Sequence, residues 1–127
     1  GALEAAAVAD LAGYGGPVAL MSFNPDCVAH VARLAPHLPR GLTSDQFDPA
    51  DWAPLSAAVC TRLRGLPDYE ATGCSFISHG AGDLGAARVA ALQATGAVVL
   101  CWTIRSPQAE AVARKIAANV TFEGYAA

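Results

Sequence analysis

An α/β fold built on a parallel sheet is what this sequence predicts, on two observations. Short apolar runs alternate with stretches of helical spacing along the whole chain. Such alternation produces parallel strands joined by right-handed crossovers. The apolar runs are also continuous, the pattern of strands buried on both faces. Five strands are expected, each separated from the next by one helix or more. Two architectures fit. An open doubly wound sheet of five strands would be a complete fold, whereas five strands of a (β/α)8 barrel would be an incomplete one.

The elements follow in order. Residues 2–12 read as a helix with Leu3, Ala7 and Leu11 on one stripe, ended by the glycines of GYGGP. VALMSF (18–23) is a buried strand. Asn24 then caps a helix with Pro25 at its first position, and Val28, Val31 and Ala35 line one face until Pro36. GLTS (41–44) is a weak strand. Asp48-Pro49 repeats the cap-then-proline signal before a helical stripe of Leu55, Val59 and Leu63 that stops at Gly65. CSFISH (74–79) is a strand, with Asp83 as cap of the following helix. AVVLCWTI (97–104) is the clearest strand in the chain. Ser106-Pro107 opens a last helix with Ala109, Val112, Ala113 and Ile116 facing inward and Arg114 and Lys115 in its final turn, where positive charge suits the helix dipole. NVTFEGY (119–125) closes the series as a short strand.

Composition narrows the function. The chain is 54% hydrophobic and 15% charged, enough to bury a core and too apolar for disorder. Charge this sparse in a small chain points to surfaces covered by a partner or by further sequence. A net charge of -3 with no basic run argues against nucleic acid. No apolar stretch reaches the roughly 18 residues of a membrane span, and no signal peptide opens the chain. Cys27, Cys60, Cys74 and Cys101 form no C-x-x-C pair and no cluster with zinc spacing, so they read as thiols of a cytoplasmic protein, mostly in its core.

HGAGDLG (79–85) contains G-x-G-x-x-G at Gly80, Gly82 and Gly85, between a strand and an alanine-rich helix. A dinucleotide site would lay a pyrophosphate on that helix N-terminus. Asp83 would place a carboxylate beside the phosphates. The acidic residue expected after the second strand is also missing, the chain reading Trp102, Thr103, Ile104, Arg105. The motif is therefore read as a loop and a cap, and an NAD(P)-binding domain is kept only as the weakest alternative.

Two longer stretches are more specific: VALMSFNPDCVAHVARLAPHLPRGL (18–42) and VVLCWTIRSPQAEAVARKIAANVTFEGY (98–125). Both resemble the glycerophosphodiester phosphodiesterase family. That family has a strand ending Ser-Phe-(Asn/Asp), a helix ending Leu-Ala-Pro, a Gly-Leu strand, then a strand ending Trp-Thr-(Val/Ile), a helix and a closing strand. The resemblance covers essentially the whole chain but only the later part of the family's barrel. Residues 46–73 match least and look like an added helix and loop. The closing strand reads Thr121-Phe122-Glu123-Gly124 where many members have Thr-Asp.

The resemblance implies the C-terminal portion of a (β/α)8 TIM barrel, with residues 1–127 as one partial domain. It implies metal-assisted hydrolysis of glycerophosphodiesters to glycerol 3-phosphate and an alcohol. The family's early His-Arg, Glu-x-Asp, His-Asp and Glu-x-Lys motifs are absent here, so no catalytic residue is assigned. The divalent metal (Mg or Ca) that the family implies would find its ligands outside this chain. The chain would supply a substrate wall, and by itself is expected to be inactive. Its partner would be the remaining half of the barrel or a second chain.

Barrel sites form at the C-terminal ends of strands. Those ends give Ser22, Phe23 and Asn24, Thr43 and Ser44, Ser78 and His79, Trp102 and Thr103, and Glu123. From these, Ser22, Phe23, His79, Trp102 and Glu123 are the expected substrate pocket. Phe23 and Trp102 would form apolar walls around the glycerol or the leaving alcohol, and Ser22 and His79 would bond substrate oxygens. Each has a plainer reading: barrel filler for the aromatics, a solvated loop residue for His79, a bond to a neighbouring loop for Glu123. Asn24 reads as a helix cap, His30 and His37 as surface residues, and Arg62 and Arg64 as a solvated face. The alternative to catalysis is a non-catalytic half-barrel that binds or assembles, covering its open sheet edges with another copy or chain.

Overall fold

A computed structural model describes residues 1–127. Helix α1 (Ala2–Leu11) precedes β1 (Leu20–Ser22), α2 (Pro25–Leu34), β2 (Arg40–Ser44), α3 (Ala57–Arg64) and α4 (Asp68–Ala71). Then come β3 (Phe76–Gly80), a 3-10 turn at Ala81–Asp83, α5 (Ala87–Ala94), β4 (Val98–Ile104), α6 (Pro107–Ala113) and β5 (Asn119–Phe122). All five strands are parallel and pair in chain order, β1-β2-β3-β4-β5. A dinucleotide-binding sheet reverses its strand order at a switch point. This sheet never reverses, so it is an arc of a barrel and the doubly wound alternative falls.

The two faces of the arc differ. Leu42, Ile77, Val99 and Cys101 belong to one core cluster with the helix residues Val28, Val89, Leu92 and Ala113. These strand positions therefore face the helices. Period-two alternation puts Ser44 and His79 on the same side. It puts Gly41, Thr43, Phe76, Ser78, Gly80 and Trp102 on the other, the inner face of the arc. A Cβ at Gly41 would run into the ring of its register partner Phe76, which is why glycine stands in a strand there. The pairing of β4 with β5 shifts between Cys101 and Ile104, so Ile104 returns to the helix-facing core.

Two caps hold as expected. The Asn24 carboxamide accepts the Asp26 N–H at 2.9 Å and the Ser106 hydroxyl accepts the Ala109 N–H at 3.2 Å. Other expectations change. In α1 the stripe fails: Leu3 is exposed and Glu4 is buried, hydrogen-bonded by the Cys27 thiol. Asp48 caps a tight turn through Ala50 N–H, and the helix begins eight residues later behind Ser56, whose hydroxyl accepts the Val59 N–H. Leu55 and Val59 are consequently exposed, and Cys60, Leu66 and Tyr69 are buried instead. Asp83 caps nothing, because the chain makes a 3-10 turn before α5 starts without a side-chain cap. The last helix ends at Ala113, leaving Val112 exposed and Arg114 as its C-cap.

The segment between β2 and β3 is tied down by arginines that donate to backbone carbonyls. Arg64 bonds Gln46 and Phe47, Arg88 bonds Gly65 and Leu66, and Arg40 bonds Thr72. Arg64 is exposed, as expected of a solvated face, and also fastens the loop. Arg62 instead grips Asp68 through two bonds of 2.7 Å. No helix is long and apolar enough to cross a membrane.

Candidate functional site

The C-terminal ends of β1 to β4 meet at one rim. Phe23, just past β1, meets the Trp102 ring of β4 edge-on, with centroids 5.3 Å apart and planes at 89°. Phe23 also touches Trp52 at 5.0 Å, and Trp52 rests on Phe47 at 4.8 Å. Four aromatic rings from three segments therefore run in a row along the rim, in the tilted and T-shaped contacts that aromatic quadrupoles favour. The Trp102 indole N–H is shared between two carbonyls, Ser44 at 3.1 Å and Ser78 at 3.0 Å. This fixes the ring across the ends of β2 and β3.

Beneath the rim lies a buried polar line. Ser44 Oγ and His79 Nδ1 are 2.7 Å apart, and His79 Nε2 is 3.3 Å from Asp83 Oδ2. Ser44 and His79 are buried, so this Ser-His-Asp sequence offers no exposed hydroxyl and is not a nucleophilic triad. Its effect is mechanical: it joins the end of β2 to the end of β3 and to the turn that follows. Asp45 continues the rim. Its Oδ2 accepts the Trp52 indole N–H at 3.4 Å, and a Cβ on Gly80 would collide with its carboxylate. Gly80 is thus needed for close packing, not for phosphate approach. Gly82 and Gly85 stand in open space.

Of the five expected pocket residues, the structure brings Phe23 and Trp102 into contact. His79 is close in sequence register, as the partner of Cys101, but its ring lies on the helix-facing side and is buried, not solvated. Ser22 also points to that side, where its hydroxyl accepts the Asn24 N–H at 3.1 Å. Glu123 lies beyond β5, exposed and paired with Arg105. Sequence reasoning missed Trp52, Phe47 and Asp45. Two aromatics and an acid within eight residues of a predicted strand end were the available signal.

No three His, Cys, Asp or Glu side chains come together in a way that could hold a metal ion. The divalent cation implied above finds no ligand set here. Three of the four thiols are held away from the reactive thiolate. Burial pushes Cys74 and Cys101 upward, and a hydrogen bond to Glu4 does the same for Cys27.

The family model for the glycerophosphoryl diester phosphodiesterase family matches residues 5–122. The chain is also similar to two solved structures. One is a protein from Silicibacter pomeroyi assigned as a glycerophosphoryl diester phosphodiesterase, with TM-score 0.68 and 21% identity over 94% of this chain and 40% of that one. The other is an Oleispira antarctica phosphodiesterase in complex with the product sn-glycerol-3-phosphate, with TM-score 0.68 and 21% identity over 94% of this chain and 44% of that one. The chain thus spans less than half the length of either. No curated protein sequence matches it. A match over nearly every residue, on a parallel arc with an aromatic rim at its strand ends, shows that the chain belongs to the glycerophosphoryl diester phosphodiesterase family.

Proposed function

We propose that this chain forms the substrate wall of a glycerophosphodiester phosphodiesterase and that the reacting groups come from elsewhere. The observation that carries this is the Phe23–Trp102 pair at the strand ends of a family member that has no metal-binding cluster. A divalent metal bound by the complementary part would offset phosphate charge. This chain's residues would bind and orient. Phe23 and Trp102 present a fixed apolar surface to the carbon skeleton of the glycerol or of the leaving alcohol. The Ser44–His79–Asp83 line and the carbonyls of Ser44 and Ser78 hold that surface in place. Holding substrate in one pose is itself a large contribution to such a reaction. Ser22 and Glu123 stand at the two margins, Glu123 within reach of the solvent through its Arg105 pair. Four free cysteines support a reducing, cytoplasmic setting.

The test is release of glycerol 3-phosphate from a glycerophosphodiester with Mg or Ca present. This chain alone is expected to release none. Mixing it with a chain carrying the early His, Glu and Asp motifs is expected to restore turnover that falls when Phe23 or Trp102 becomes alanine. Metal-dependent turnover by this chain alone would overturn the division of labour.

A second reading, a non-catalytic assembly module, is favoured by the unpaired outer edges of β1 and β5. Sedimentation at micromolar concentration separates the two. A stable dimer of this chain favours assembly, and a monomer counts against it.

A further inference from the structure

Three glycines of the chain have a positive φ, and so do two other residues: Phe47, at φ 50°, and Leu66, at φ 49°. A side chain makes this left-handed backbone costly. Glycine would remove the cost, but both positions need their side chains. Both are buried; Phe47 carries the Trp52 ring, and Leu66 belongs to the main core cluster.

The two turns are held in the same way. Arg64 donates from Nε to the Gln46 carbonyl at 2.6 Å and from Nη2 to the Phe47 carbonyl at 3.1 Å. Arg88 donates from Nε to the Gly65 carbonyl at 2.8 Å and from Nη2 to the Leu66 carbonyl at 3.3 Å. In each case one edge of a guanidinium spans the carbonyls on either side of the positive φ. Those two carbonyl carbons are the end atoms of the φ dihedral, so a rigid planar fork across them holds the dihedral itself. Gly73, at φ 63°, supplies the contrast: of the two carbonyls flanking it, Arg40 takes only that of Thr72, at 2.9 Å.

The clamps also stand in series. Arg64 is the last residue of α3, and the first carbonyl that Arg88 holds belongs to the next residue, Gly65. Arg88, on α5, thus fixes the turn from which Arg64 projects. Arg64 fixes the turn at Phe47, and Phe47 seats Trp52, which touches Phe23.

We propose that Arg64 and Arg88 are positioning residues for the aromatic rim: in tandem they hold two side-chain-bearing residues in a glycine-like backbone and so set where Trp52 lies against Phe23. The assignment concerns the placement of Trp52 and does not rest on the phosphodiesterase reading, which its failure would leave untouched.

The test is fluorine NMR of the chain carrying fluorotryptophan. Trp52 and Trp102 are its only indoles, so two resonances are expected, and Trp52→Phe assigns them. Arg64→Ala should shift and broaden the Trp52 resonance. Arg88→Ala should do the same to a smaller extent, although its bonds go to Gly65 and Leu66 and not to the Trp52 loop. Val99→Ala, a cavity in the same core but on β4, is the control for general loosening and should leave the Trp52 resonance in place. In a Leu66→Gly chain the left-handed turn needs no clamp, so adding Arg88→Ala should produce little further shift. A Trp52 resonance unmoved by either arginine substitution would overturn the proposal. So would a shift from Val99→Ala as large as that from Arg88→Ala, or an undiminished Arg88→Ala shift in the Leu66→Gly chain. Circular dichroism establishes that each variant folds. Where an alanine chain does not, Arg64→Lys and Arg88→Lys, which keep the cation and lose the planar fork, carry the same test with the same expected shift.

Discussion

The centre of the sheet and its margins are built from similar residues and behave differently. Every residue of β3 is buried, whereas β1 has none buried and β5 leaves three of its four exposed. The strands share one geometry and direction, so neither propensity nor pairing mode explains this. β3 has a strand on each side, helices over one face and the Phe76 and Trp102 side chains on the other. β1 and β5 each lack a neighbour. Burial here follows position in the arc, and so does the fate of polar groups. Ser44 and His79, near the centre, are locked to each other; Ser22 and Glu123, at the margins, make local or solvent-screened contacts.

This contrast can be tested, beginning with the largest effect. Ile77→Ala at the centre of β3 should cost about 2–5 kcal/mol in urea unfolding. Thr121→Ala in β5, exposed, should stay within about 0.5 kcal/mol. Equal losses would erase the distinction between centre and margin. Next, Ser44→Ala leaves His79 Nδ1 buried without its partner and should cost about 1–3 kcal/mol. The same change should shift the Trp102 emission, because the strand end that holds the indole loosens. Glu123→Gln at the opposite margin breaks only the exposed Arg105 pair and should cost no more than about 1 kcal/mol, less in high salt.

The smallest effect is one of pH. Hydrogen bonds from Arg114 and then from the Tyr125 hydroxyl hold the Glu110 carboxyl below its usual range. The folded chain therefore binds that proton less readily than the unfolded chain. The resulting stability is complete above the ordinary carboxylate pKa and is lost as pH falls through the lowered value. Glu110→Gln should flatten the dependence of the urea midpoint on pH across that acid range. An unchanged slope would show that the contact does not persist in solution.

The centre was also the more legible part. AVVLCWTI and CSFISH stood out because a strand covered on both faces must be continuously apolar, and both fall within two residues of the observed β4 and β3. Asn24 and Ser106 were readable because a cap is a local bond between near neighbours. The margins and the segment between β2 and β3 were less so. Leu55, Val59 and Leu63 have helical spacing, but whether a stripe faces a core depends on where the helix lies, and this one begins only after Ser56. Asp83 has the right chemistry for a cap, yet His79 four residues earlier claimed it. Phe23 and Trp102 were singled out because strand ends are where barrels place their sites, and the structure puts the two rings in contact. Trp52 was missed because its position depends on a loop whose course no periodicity encodes.

That loop is held by its carbonyls. Arg64, Arg88 and Arg40 grip Gln46, Phe47, Gly65, Leu66 and Thr72 through backbone oxygens that any residue would supply. Clamps of this kind read the path of a chain and ignore its letters. Residues along the segment can therefore be exchanged without losing its anchorage, while Phe47, Trp52 and their successors are carried to the same spot above the rim. The segment works as a replaceable cartridge in a fixed mount: its contents can change while the fold that carries them stays.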